Sequence, residues 1–200
     1  GMNSIGTHAP KEIFGNMTVP YVQGLFFVEN PYWMEPSADK FLDVFSDHFV
    51  MCCKEKIQKA VLPRKNDPFL LGYTFTDCPI LTDLDADSHG QVPQGGPSPN
   101  LPTWPRVLRN LDGEARAKRV FVQMMKERYS TIQSFNQVYG SAFSSFEGLL
   151  LAENWSLVTR QEKVDDGDDN DAFLLKILER YYTVAVKAIR EVDANHLIFG

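Results

Sequence analysis

Two carboxylates stand where apolar runs end. Glu29 follows the run 19–28, in which Tyr21, Val22, Leu25, Phe26, Phe27 and Val28 are nearly continuous, and Asp77 follows the run 69–75. In parallel α/β folds the side chains at the C-terminal ends of strands converge on the ligand, so both are candidate site residues. His8, which closes a short run at 3–8, joins them by the same rule. Paired carboxylates suit glycoside hydrolysis: one gives a proton to the leaving oxygen, and the other attacks the anomeric carbon or stabilises oxocarbenium charge. Trp33 and Tyr73 lie nearby in sequence and offer flat faces for the C–H surface of a sugar. The plainer alternative is that Glu29 and Asp77 cap turns or bind backbone amides.

The remaining polar clusters have weaker chemistry. Asp83-x-Asp85-x-Asp87 opens like a calcium loop, but the sixth position is Ser88 and the twelfth is Gln94, so a solvated loop is the simpler reading. The acidic tract 165–171 fits no ligand spacing and is expected to place negative charge at the start of the last helix. His48 and His89 have no Cys or His partner at zinc spacing, and the sequence contains no glycine-rich phosphate loop or nucleophile elbow. Three cysteines, with Cys52 and Cys53 adjacent, do not make a disulfide framework. No metal centre and no cofactor are expected.

The elements that must hold these residues alternate in the manner of βα units. Apolar runs predict strands near 3–8, 20–28, 69–76 and 195–199, the second of them buried on both faces. Helical spacing predicts helices over 47–61, 113–129 and 171–192, with Ser46 as N-cap of the first and capping boxes at Ser130…Gln133 and Ser144…Glu147. Residues 81–105 are rich in Asp, Gly, Pro and Ser and read as a long loop.

The chain of 200 residues is 44% hydrophobic and 12% aromatic, which suits a packed globular domain and excludes wholesale disorder. A net charge of −6 gives no footprint for nucleic acid, and no run is long enough for a membrane span. Neither partner is expected. The opening Gly1-Met2 reads as a cleavage scar, with no signal peptide after it.

Four stretches in order resemble the agarase-like enzymes of glycoside hydrolase families 42 and 50. They are Asn3-Ser4-Ile5-Gly6 with Val19-Pro20-Tyr21; Asp43-Val44-Phe45-Ser46 with Asp67-Pro68-Phe69-Leu70-Leu71-Gly72-Tyr73; Phe135-Asn136-Gln137-Val138-Tyr139-Gly140 with Ser144-Ser145-Phe146-Glu147-Gly148; and Ala188-Ile189 with Asp193-Ala194-Asn195-His196-Leu197. The resemblance implies an incomplete (β/α)8 barrel, about strands two to five with their helices, in which residues 1–200 form one partial glycoside hydrolase domain. It also implies a parent acting on a galactose-containing or algal polysaccharide. From the strand-end positions Asp77 is expected to be catalytic, and His8, Glu29, Trp33 and Tyr73 to bind substrate. Parent enzymes of this type are often secreted or periplasmic.

Two departures qualify that expectation. Cys78 stands where the family carries its acid/base Glu, and a thiol is a poor proton donor to a glycosidic oxygen. The strand that bears the family's nucleophile lies beyond this chain, which is therefore expected to be inactive alone. A non-catalytic carbohydrate-binding relative and an interaction module are the alternatives. An open barrel segment leaves strand edges and an apolar face to cover, so a homo-oligomer is expected.

Overall fold

The computed structural model describes residues 4–6, 18–27, 42–75, 81–85, 103–156 and 165–199. Three strands form a parallel sheet in sequence order: β1 (Tyr21–Gly24), β2 (Leu70–Thr74) and β3 (Leu197–Phe199). Ile5 adds a parallel bridge to Tyr21, so four consecutive segments pair side by side without a reversal. The runs at 20–28, 69–76 and 195–199 thus hold strands shorter than their hydrophobic lengths, while of the run 3–8 the described residues show only the bridge at Ile5. The α-helices named among the described residues are α1 (Asp47–Ala60), α2 (Trp104–Arg109), α3 (Arg116–Tyr129), α4 (Ile132–Tyr139), α5 (Phe146–Leu151) and α6 (Gly167–Arg190). Among the described residues no helix is long and apolar enough to cross a membrane.

The chain divides into two compact units. The first (Gly1–Glu29, Val50–Asp77, Tyr182–Gly200) contains the sheet, and the second (Asn30–Phe49, Cys78–Tyr181) is helical. In the first unit, strand alternation puts Leu25, Phe27, Tyr73 and Phe75 on one face, where all four are buried. Phe27 meets Phe75 edge-on at 5.6 Å, and Phe75 meets Tyr182 of α6 at 5.8 Å. The opposite face carries Gly24, Gly72, Thr74, Leu197 and Phe199. There Leu197 is 58% and Phe199 38% exposed, so β3 is not buried on both sides. A register shift after Tyr21 lets Leu70 and Gly72 pair with successive β1 residues and turns Leu71 outward. Gly72 admits the close approach of β3, since a Cβ at this position would lie 2.3 Å from the Leu197 carbonyl oxygen.

The second unit packs Trp104, Phe121, Phe135, Phe173 and Tyr181 as fully buried rings. Its helix starts refine the expectations. Ser46 caps α1 through Phe49 N–H at 3.1 Å, as its position suggested. The other two caps fall one residue later than expected. Ser130 ends α3 at a positive φ of 56°, and Thr131 caps α4 through Ser134 N–H. Ser145, rather than Ser144, caps α5 through Gly148 N–H. Helix α3 begins at Arg116 because the Asp112 carboxylate holds the amides of Glu114 and Ala115 in a turn. Helix α6 begins at Gly167 and so takes part of the acidic tract into its first turn.

Candidate functional site

The sheet has an exit end, where the strand-end rule locates chemistry, and an entry end. At the exit of β1 the Leu25 amide donates to the Thr74 carbonyl at 2.8 Å. The next carbonyl, of Phe26, accepts from the Lys56 ammonium on α1. That ammonium also lies 5.7 Å from the Phe27 ring centroid. Phe27, Phe75 and Tyr182 therefore form an aromatic floor at the exits of β1 and β2. In sequence the chain runs from this floor to Glu29 and Asp77. Those two residues, with His8, Trp33 and Cys78, lie outside the described residues.

The fifth expected site residue, Tyr73, is the fourth residue of β2, but its hydroxyl is engaged at the entry of β3. It is fully buried, and its hydroxyl donates to Asp193 Oδ2 at 2.7 Å. The ring presents no open face on which a sugar could stack. Asp193 also accepts from the amides of Asn195 and His196, and its Oδ2 lies 2.6 Å from His196 Nδ1. The other ring nitrogen of His196 faces the Asp67 carbonyl at 3.1 Å, while Asp67 Oδ2 accepts the Tyr21 hydroxyl at 2.7 Å. The entries of all three strands are thus laced together. Burial pushes the Asp193 carboxyl up, but the hydrogen bonds from Tyr73, His196 and the two amides outweigh it and hold the group at about 2. Burial together with the Asp67 carboxylate raises the Tyr21 phenol to about 12.

The second unit holds a buried ionic cluster that the sequence reading missed. Arg106 donates to both Asp83 and Asp166, at 2.7–3.0 Å, and Arg109 donates to Asp166 at 2.7 Å. Asp169 receives the hydroxyls of Tyr129 and Tyr139 and an ion pair from Arg128. The acidic tract is therefore more than dipole charge: Asp166 and Asp169 are buried counter-ions. The spacing Arg106-x-x-Arg109 puts both arginines on one side of α2, and both reach the same Asp166, whose place just before α6 no local pattern reveals. Asp83 is consumed by Arg106, and Asp85 accepts from Thr82. Neither has the open carboxylate that a calcium loop needs, and Asp87 lies outside the described residues. Among the described residues no group of three His, Cys, Asp or Glu side chains is placed to hold a metal ion. Fully buried Lys118 donates to the carbonyls of Arg109 and Ala152 and faces the Trp155 ring at 5.4 Å. Burial, and then the Arg109 charge, lower it to about 8. Burial raises the Cys53 thiol to about 12, consistent with an inert core residue.

A parallel sheet wound in one direction, with helices between its strands, has counterparts among known proteins. A solved exo-beta-agarase superposes on the whole chain with a TM-score of 0.70 and 18% identity, over 26% of its own length. A second agarase, AgWH50C, gives 0.69 and 17% over 27% of its chain, and PfGH50B gives 0.65 and 16% over 25%. The fold is that of about a quarter of an agarase chain. In sequence the chain is 26% identical over 216 residues to Beta-agarase B of Vibrio sp. (strain JT0107) and spans 20% of that protein. No protein-family model matches. These likenesses support an agarase-like glycoside hydrolase relationship, and the chain covers about one fifth of the curated relative it matches.

Proposed function

We propose that this chain is part of a glycoside hydrolase acting on a galactose-containing or algal polysaccharide. In this reading it supplies consecutive βα units, about strands two to five, of a (β/α)8 barrel. The carrying observation is the sheet itself: four parallel segments in unbroken sequence order, with agarase structures aligned along the whole chain. A doubly wound sheet would reverse its strand order at a switch point; a barrel does not. Asp77, two residues past the buried Phe75, is the proton-transferring group of the proposal. His8, Glu29 and Trp33 are its sugar-binding neighbours.

A retaining glycosidase needs two carboxyl groups ~5–5.5 Å apart, one as acid/base and one as nucleophile. Asp77 and Glu29 are the carboxylates that the strand-end rule supplies here, and the family resemblance assigns only the acid/base step to this part of the barrel. The chain alone is accordingly proposed to bind agaro-oligosaccharides without cleaving them. A second reading, a non-catalytic carbohydrate-binding relative, is favoured by Cys78 at the position where the resemblance expects Glu. Incubation with agarose and assay of new reducing ends tests the inactivity: no release is expected, and turnover that disappears in Asp77→Ala would overturn it.

A further inference from the structure

Both nitrogens of the His196 ring lie against acceptors. Nδ1 is 2.6 Å from Asp193 Oδ2, and Nε2 is 3.1 Å from the Asp67 carbonyl oxygen. A carbonyl has no proton to give. Asp193 has none either, because its carboxylate accepts the Tyr73 hydroxyl and the amides of Asn195 and His196, the pattern of an ionised group. A neutral imidazole has one N–H and one bare lone pair, so either tautomer would press that lone pair against an oxygen. Only the imidazolium donates at both ends. The ring keeps 13% of its side chain exposed, which gives water a route to its second proton.

The position of the ring in the first unit gives that proton a structural role. His196 immediately precedes β3, and Asp67 lies in the turn that leads into β2, where its carbonyl also accepts the Leu70 amide. Arg190, the last residue of α6, donates to the carbonyls of Asp193 and His196 and so holds the turn before β3. The other described ionisable groups here are Tyr21, Tyr73 and Arg64, whose charge acts on both phenols. Burial raises the two phenols, Tyr21 to about 12, so they stay neutral well into alkali. We propose that His196 is a proton-dependent clasp: as imidazolium it ties the entry of β3 to the turn before β2, and loss of its second proton releases that entry. Stability of this kind is present at lower pH and is lost as pH rises through the titration of the ring.

Long-range nitrogen–proton NMR on the isotopically labelled 200-residue chain reads the protonation of the ring directly. At neutral pH both His196 nitrogens are expected in the protonated range, and a bare nitrogen would overturn the proposal. Raising the pH until the ring signal reports the neutral form should then lower amide protection over 197–199 about ten-fold relative to the amides of α1, the loss expected for one charge-assisted hydrogen bond. The α1 reference removes the general rise of exchange with pH and any change in global stability, including that from Lys118 in the other unit. His196→Gln, which can donate at one end only, should show the lowered protection at every pH. Relative protection that stays constant across the titration of the ring would overturn the clasp even with both nitrogens protonated. If His196→Gln does not fold, the two measurements on the unaltered chain still decide.

Discussion

Asp193 and Lys118 are both buried ionisable groups, and they make opposite demands on pH. Asp193 sits at about 2 against an ordinary 3.8, because Tyr73, His196 and two backbone amides all donate to it. A depressed carboxyl gives stability that is present above the unfolded value and lost as pH falls through the folded one. The shift corresponds to about 2 kcal/mol, which should disappear between roughly pH 4 and pH 2. Urea unfolding of the parent and of Asp193→Asn across that range measures it: the gap between the two should narrow as pH falls, and a constant gap would contradict the assignment. Lys118 sits at about 8 against 10.5. Here the folded state bears a cost while the amine is charged, so the parent should gain stability from pH 8 towards 10.5, where the unfolded chain keeps the proton that the folded chain has released. The gain relative to Lys118→Met is about 3 kcal/mol at most. A fall in that difference with rising pH would show that the ammonium is favoured by its surroundings.

At the scale of elements, amphipathic helices are the easiest to read from sequence. Helices α1, α3 and α6 lie within a few residues of their expected spans because their apolar spacing and polar ends agree. Strands were legible as apolar runs, but hydrophobicity alone does not tell where pairing stops, and each is shorter than its run. Helix α2 was hidden. Its arginines look like loop residues until their acceptors are known, and those acceptors stand 23 and 60 residues away. The same holds for Tyr73: an aromatic near a strand end suggests a platform, and only the fold brings Asp193, 120 residues distant, to its hydroxyl. The strand-end carboxylates remain legible in sequence alone. Two element-scale outcomes follow. Gly72→Ala forces a Cβ onto the Leu197 carbonyl and should unpair β3, at a cost on the order of 3 kcal/mol, visible as lost amide protection over 197–199. Ser46→Ala removes the α1 cap and should cost about 1 kcal/mol in thermal or urea unfolding.

At the scale of the whole molecule, we propose that the sheet face bearing Leu197 and Phe199 drives self-association of the 200-residue chain. Both side chains are substantially exposed, and among the described residues β3 pairs on one side only, with β2. Exposed apolar area of this kind favours self-association. Light scattering is therefore expected to report a dimer or larger species, and Leu197→Lys should shift it towards the monomer. A monomer at all accessible concentrations would remove the self-association proposal without touching the fold.

The central claim is that the exit end of this sheet is a sugar site served by Asp77. Its most direct test is calorimetric titration of the chain with agaro-oligosaccharides, paired with the same titration of Asp77→Ala and a melting curve for each. The account predicts saturable binding by the parent. It also predicts affinity at least about ten-fold weaker in the variant, the scale expected when a group in direct contact with ligand is lost, with melting temperatures agreeing within a few degrees. Equal affinity in the two proteins would contradict it, as would the absence of any saturable binding by the parent.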